Sequence, residues 1–526
     1  MHRFTLAALL SLAASFPATA QRPSRPALVV LITVDQMRAD YYDRFKSHLH
    51  GGLARLYERG TVFERAFQDH AFTETAPGHA SLLSGRFPVH TGIATNLQGV
   101  NTPTVSVLGG GPGDQGASPF RFHGSTLIDW LRAADPATRF LSVSRKDRGA
   151  ILPIGTARGN VFWFATTGLF TTSTYYADTL PTWVRHFNDR HLVWSHAGEL
   201  WSPMYGADVY PEPDSVPAEN NGKDFVFNHV MPRDPAAADT AITQFPWMDE
   251  LTLQFALAGV QELQLGAARN RTDVLSISLS TLDAVGHRYG PDSKELHDHV
   301  IQLDRFLGAF LDSLYATRDS SSVLIALTAD HGMTPFAMLK SDNYPNPGAE
   351  RVDLAPVWLQ AKDRLTRAGV PDSLVTFADN ILTLRRDPLR ALTFDADSIA
   401  RAFATDVMRV QGVLRADLVS RLASADTVND AIARRWVHVF EPRSDTTRLV
   451  VTLTPFSYSA AVTYAAHGSP HDADAHIPLV LFGPWFTAQR RTELVRSVDL
   501  APTLAAILGV TPSERLDGRR LPATPP

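Results

Sequence analysis

The chain has 526 residues, 44% of them hydrophobic and 20% charged, with 49 basic against 54 acidic side chains, 19 histidines and no cysteine. The missing cysteine excludes disulfide scaffolds, cysteine-ligated zinc, iron–sulfur clusters and cysteine nucleophiles, so any transition metal must be held by histidine and carboxylate. A net charge of −5 supplies no overall basic field of the kind that drives sequence-independent nucleic-acid binding, and the length suits a large α/β core carrying insertions.

Residues 1–20 contain Arg3, an apolar run from Leu6 to Phe16 and the small-x-small ending Ala18-Thr19-Ala20, the pattern of a secretory signal peptide cleaved after Ala20. That run is too short to span a bilayer, and no later stretch reaches about 18 uninterrupted apolar residues, so a periplasmic or secreted protein without a membrane anchor is expected. Residues 21–526 read as one catalytic domain. The runs Ala27–Thr33, Asp273–Leu279, Val323–Leu327 and Ile477–Phe482 are apolar and β-branched, as expected of buried strands in a parallel sheet. Helical patterns follow several of them, for example Ser293–Leu314 and Ser497–Leu508. This alternation predicts an open α/β sandwich with ligands gathered at the carboxyl ends of its strands. Residues 160–245, rich in Trp, Tyr, Pro and Asn, and residues 333–456, with helices and strands of their own, break the rhythm and are read as cap insertions.

The chemistry sits where those strands stop. Asp35 follows the first, Asp283 and His287 the second, and Asp330-His331-Gly332 the third. One carboxylate at a strand end is ordinarily a helix cap or turn former. Asp283 and His287, however, are four apart and share one helical face, and Gly332 lets the chain turn sharply after Asp330 and His331. Three such clusters suit zinc or a similar divalent ion, in numbers sufficient for two sites. His467, His471 and His476 all precede the fourth strand and compete to be a further ligand. Thr75-Ala76-Pro77-Gly78-His79 places a hydroxyl at the start of a helical run, whose free N–H groups favour an oxyanion or phosphate. By itself Thr75 would read as a helix cap; beside zinc its proton is lost far more readily. His79 reads as a packed or supporting histidine rather than a ligand. Lys146 and Arg148 would enter one cleft if their segment is extended, bringing two cations to a phosphoryl dianion.

Val34-Asp35-Gln36-Met37-Arg38, Thr75 to His79, Gly92-Ile93-Ala94-Thr95-Asn96, Arg145-Lys146-Asp147-Arg148-Gly149-Ala150, Asp283 to His287, Asp330-His331-Gly332 and His467-Gly468 form an ordered set running from the first strand almost to the C-terminus. In that order they resemble the alkaline phosphatase superfamily, specifically the secreted monoesterases close to the type I phosphodiesterase/nucleotide pyrophosphatase branch. The resemblance implies an alkaline-phosphatase-like three-layer α/β sandwich with a mostly parallel central sheet. It implies two zinc ions, one held by Asp35, Thr75, Asp330 and His331, the other by Asp283, His287 and His467. It further implies Thr75 as a transiently phosphorylated nucleophile and Asn96 as a phosphate contact. Lys146 and Arg148 resemble the mark of monoesterases, which nucleotide pyrophosphatases lack. The expected partners are small-molecule phosphate monoesters, cleaved to an alcohol and inorganic phosphate, with no polymeric nucleic acid. A phosphodiesterase would share the metals; a sulfatase would want a Cys or Ser opening C/S-x-P-x-R; a binding protein with structural metals would have no use for Thr75.

Overall fold

All seven residues of β1 (Leu28–Val34) are buried, as are all seven of its neighbour β6 (Asp273–Leu279), so both faces of the sheet must be covered. The computed structural model describes residues 25–336, 350–441, 445–459 and 465–522; residues 1–20, expected to form a signal peptide, lie outside the described residues. The remaining strands of the central sheet are β2 (Thr61–Phe67), β3 (Phe140–Ser144), β4 (Asn160–Phe164), β5 (Phe170–Thr171), β7 (Val323–Thr328), β8 (His476–Ile477), β9 (Leu479–Phe482) and β10 (Gln489–Arg496). Their order is β8-β2-β9-β7-β1-β6-β3-β4-β5, with β10 also on β2. The run β7-β1-β6-β3-β4 is entirely parallel.

Six helices matter for the site: α1 (Thr75–Ser84), α2 (Asp147–Ile151), α3 (Trp247–Glu262), α4 (Thr281–Tyr289), α5 (Lys294–Thr317) and α6 (Leu500–Leu508). α3 packs on α5 and on β3 and β6, while α1 packs on α6 and α2 lies against β3 and β4. One large hydrophobic cluster joins these helices to the sheet, giving the three-layer sandwich.

Two sequence expectations change. Ile477–Phe482 is not one parallel strand: Pro478, which has no N–H to donate, separates β8 from β9, and β9 runs antiparallel to both β7 and β2. Asn160–Phe164, expected to open an insertion, is instead a parallel strand of the central sheet, its Val161-Phe162-Trp163-Phe164 run buried. Within 350–459, strands Val375–Ala378, Ile381–Arg385, Thr446–Leu453 and Val413–Leu418 form a separate antiparallel sheet in that spatial order. A second hydrophobic cluster, including Leu384, Phe403 and Leu449, lies beneath it. A third, smaller cluster packs Trp436 and Val450 of this stretch against Phe72 and Ala94 of the main body.

Candidate metal centre and active site

Because β1 runs parallel between β6 and β7, with Thr33 level with Ser278 and Thr328, the chain leaves all three strands at the same edge. Asp35 is anchored there by its own N–H, which donates to the Leu279 carbonyl at 2.8 Å. Gln36 ties the three exits together. It takes the left-handed conformation (φ 68°), its backbone N–H donates to Asp330 Oδ1 at 3.1 Å, and its side-chain amide donates to Asp283 Oδ1 at 2.9 Å. Left-handed backbone is unusual for a residue other than glycine and is held here by both bonds.

Two groups of ligand-type atoms result, each with its atoms within 4.8 Å of one another: Asp35, Asp330 and His331, and Asp283, His287 and His467. The groups adjoin, since the rings of His331 and His467 stack at 3.7 Å. Lys146 lies between them, its Nζ 2.6 Å from Asp35 Oδ2 and 2.7 Å from Asp283 Oδ2. The hydrogen-bond pattern assigns the imidazole tautomers. Nδ1 of His331 donates to the Gly332 carbonyl at 2.9 Å, that of His287 to Ala465 at 2.7 Å, and that of His467 to Thr73 at 2.8 Å. In each ring Nε2 is therefore left as the electron-pair donor. The competing histidines face elsewhere: His471 Nε2 lies 2.8 Å from the Leu453 carbonyl, and His476 Nε2 is 2.7 Å from the Glu64 carbonyl with its ring stacked on Phe67.

Electrostatically this is a strained assembly of anions. Burial, reinforced by Asp330 and Asp283, raises the Asp35 carboxyl to about 6 despite Lys146. Asp283, with Lys146, His287 and His467 around it, is held well below the ordinary carboxylate range against the opposing effect of burial. Oδ1 of buried Asp35 has no hydrogen bond, its Oδ2 has only the Lys146 ammonium, and Oδ2 of Asp330 faces only the rings of His79 and His331. Buried carboxylates lacking hydrogen-bond partners are costly unless a cation meets them. An all-oxygen-and-nitrogen donor set with Nε2 atoms exposed to it fits a divalent metal cofactor.

Thr75 is the first residue of α1, which follows extended Glu74. Its Oγ1 lies 3.4 Å from Lys146 Nζ and 3.5 Å from His331 Nε2, so the hydroxyl borders the Asp35, Asp330 and His331 group and the ammonium that lies between the two groups. The close seating of α1 requires glycine at 78, where a Cβ would come within 2.2 Å of the Asp330 carbonyl oxygen. His79 stands behind the ligands. Its Nδ1 is 2.9 Å from the Thr75 carbonyl and 3.1 Å from Asp330 Oδ2, and its Nε2 is 2.9 Å from Ser278 Oγ. Asn96 is fixed over the start of α1: its Oδ1 accepts from Ala76 N–H at 2.9 Å and its backbone N–H donates to Glu74 at 2.6 Å. That leaves the Asn96 side-chain NH2 as a donor.

The expected extended Lys146–Arg148 segment is not found. Helix α2 begins at Asp147, so Lys146, still extended, reaches the ligand groups while Arg148 turns onto the first helical turn, 3.8 Å from Asp147. The Arg148 charge also opposes, weakly, the burial that raises the Glu74 carboxyl. Gln36 and Thr73 were not singled out from sequence. Gln36 lay inside a recognised motif, whereas Thr73 contributes a backbone carbonyl that no side-chain signal reports.

Parallel strands ending in two adjoining carboxylate–imidazole groups that could hold metal, with a hydroxyl at a helix start beside them, make up a candidate hydrolase site. The chain belongs to the type I phosphodiesterase/nucleotide pyrophosphatase family, whose model matches residues 29–373. It is an enzyme; several relatives across nearly its whole length are named alkaline phosphatases, and one, from Myroides odoratus, is named a calcium-transporting ATPase. It is 29% identical to alkaline phosphatase PhoV of Synechococcus elongatus, over 93% of this chain and 91% of that one. It is 31% identical to alkaline phosphatase PhoK of a Sphingomonas species, over 94% and 91% respectively. The crystal structure of alkaline phosphatase PafA superposes with a TM-score of 0.85 at 26% identity, covering 94% of this chain and 98% of PafA. No helix among the described residues is long and apolar enough to cross a membrane.

Proposed function

We propose that this enzyme is a two-zinc alkaline phosphatase that hydrolyses small phosphate monoesters through a phosphothreonine at Thr75. The observation that carries the reading is the placement of the Thr75 hydroxyl within 3.5 Å of both Lys146 Nζ and His331 Nε2 at a helix start. Asp35, Asp330, His331 and Thr75 would hold one zinc, and Asp283, His287 and His467 the other. When bound, zinc supplies positive charge and lowers the pKa of a hydroxyl or water that it touches. Thr75 Oγ forms a bond to phosphorus as the ester P–O bond breaks, and the alcohol leaves carrying a proton. Water then attacks the phosphothreonine, releasing inorganic phosphate and restoring the hydroxyl. The Asn96 amide and the Lys146 ammonium donate to phosphoryl oxygens, and Arg148 adds positive charge at the rim. Two cationic side chains match a dianionic monoester better than a diester with one charge fewer. Residues 21–526 act as one catalytic unit capped by stretches near 165–245 and 333–456, delivered to the periplasm or exterior by residues 1–20.

The test is the ratio of hydrolysis rates for an aryl phosphate and its methyl diester at alkaline pH. A large monoester preference supports the reading. A large diester preference overturns it in favour of the phosphodiesterase/nucleotide pyrophosphatase activity for which the family is named.

A further inference from the structure

Arg435 lies in the short helix Ala431–Val437 of the 350–459 stretch, far from Thr75 in sequence, and only 2% of its surface is exposed. A buried guanidinium is tolerated where its donors are matched, and those of Arg435 reach two different loops. Nη1 donates to the Pro470 carbonyl at 2.7 Å and Nη2 pairs with Asp472 at 2.8 Å. Nε lies 3.4 Å from Oδ1 of buried Asp69, an ion pair without a hydrogen bond, and the Arg435 carbonyl accepts from Ala71 N–H at 3.1 Å.

Asp69 and Ala71 belong to the run that leads into Thr75. Pro470 and Asp472 belong to the run that begins at Ala465 and His467. Between them, these two runs provide the Thr73 and Ala465 carbonyls that orient His467 and His287. Trp436, the next residue, packs edge-on against Phe72 at 5.2 Å, reinforcing the same junction. The two ends of the clamp are unequal. Asp69 also pairs with Arg434 at 2.8 Å and Arg496 at 2.7 Å, so it keeps cations if Arg435 is lost. Asp472 has no other ion pair among the described residues.

We infer that Arg435 is a positioning residue for the catalytic centre, clamping the loop of His467 onto the loop of Thr75. The inference rests on the two-zinc reading above. Loss of the clamp should then act on the group that contains His467 and His287 and spare the group built from Asp35, Asp330 and His331.

The experiment titrates zinc onto the full chain by competition with a chromogenic chelator, alongside kcat and KM for an aryl phosphate, in wild type, Arg435→Met, Arg435→Lys and Asp472→Asn. Wild type is expected to hold two ions. Arg435→Met should hold one as tightly as wild type and the other about 10–100-fold more weakly, the usual effect of removing support behind metal ligands. Its kcat should fall in step. Arg435→Lys keeps the charge but not the forked reach, and should recover part of the loss. Asp472 has a side chain 71% exposed, so its asparagine variant should fold, and it should weaken the same ion by less. Unchanged affinities in Arg435→Met, or an equal loss at both ions, overturn the inference. If that variant does not fold, unchanged zinc affinity in Asp472→Asn overturns it. A wild type that binds no zinc overturns the two-zinc reading and this inference together.

Discussion

The backbone carbonyl of Thr73 accepts a hydrogen bond from His467 Nδ1 at 2.8 Å, and the Thr73 hydroxyl donates to the Ser469 carbonyl at 2.9 Å. The residue two places before the proposed nucleophile thus fixes the tautomer of an imidazole almost 400 positions away (|i−j| = 394). A shift of the Thr73 loop therefore moves the Thr75 hydroxyl and the His467 ring together.

Thr75→Ala should lower kcat by at least about three orders of magnitude, the scale on which loss of a nucleophile is felt. Acid quenching during turnover of a radiolabelled monoester should leave label on the wild-type chain and none on the variant. Equal labelling of both would remove Thr75 from the covalent role.

Lys146→Ala should reduce kcat/KM for a monoester by about 100-fold, the cost of one donor to a developing charge in a water-poor site. The methyl diester, with one charge fewer, should lose less than about tenfold. A parallel fall for both substrates would make Lys146 a partner of Asp35 and Asp283 alone.

Metal removal gives a prediction with a definite sign. Burial raises Asp35 to about 6 in the metal-free fold, above an unfolded value of about 3.9. The folded chain therefore binds the extra proton. This contribution to stability is complete below about pH 4 and is lost as pH rises through about 6. Chelator-treated wild type should lose melting temperature between pH 4 and 6 relative to Asp35→Asn, and zinc should cancel that loss by binding the carboxylate. Superimposable melting curves for the two chelated proteins would refute it.

Gly78→Ala sets two effects against each other. In an open helix the change stabilises by about 1 kcal/mol. Here the new Cβ would lie 2.2 Å from the Asp330 carbonyl oxygen, and forcing α1 away should cost about 1–3 kcal/mol or more. The clash wins, so denaturant melts should show net destabilisation, and zinc affinity should fall because Asp330 moves.

The strand-end carboxylates were legible because an apolar run that stops at an acid marks both the strand and the place where its chain emerges. Asp283 with His287 was legible from helical spacing alone. The choice among His467, His471 and His476 was not, because it depends on whether a carbonyl from Thr73, Leu453 or Glu64 meets the ring. The helix at Asp147 was missed for a related reason: nothing in the Lys146-Asp147-Arg148 triplet distinguishes an extended exit from an immediate turn. Arg435 carries no local motif at all, since its partners Asp69 and Pro470 come together only after the sheet is formed.

The position of β9 has a consequence for how the chain matures. It enters the sheet between β7 and β2, and within the sheet it is the link between the parallel strands and the strand that leads to Thr75. Until that late segment docks, the three carboxylates can gather on one side while hydroxyl and last imidazole remain on unconnected pieces of chain. Metal capture thus becomes a report on completed folding: tight retention of the ion near His467 would separate finished molecules from intermediates, and a chelator pulse during refolding would time the docking of the last strand.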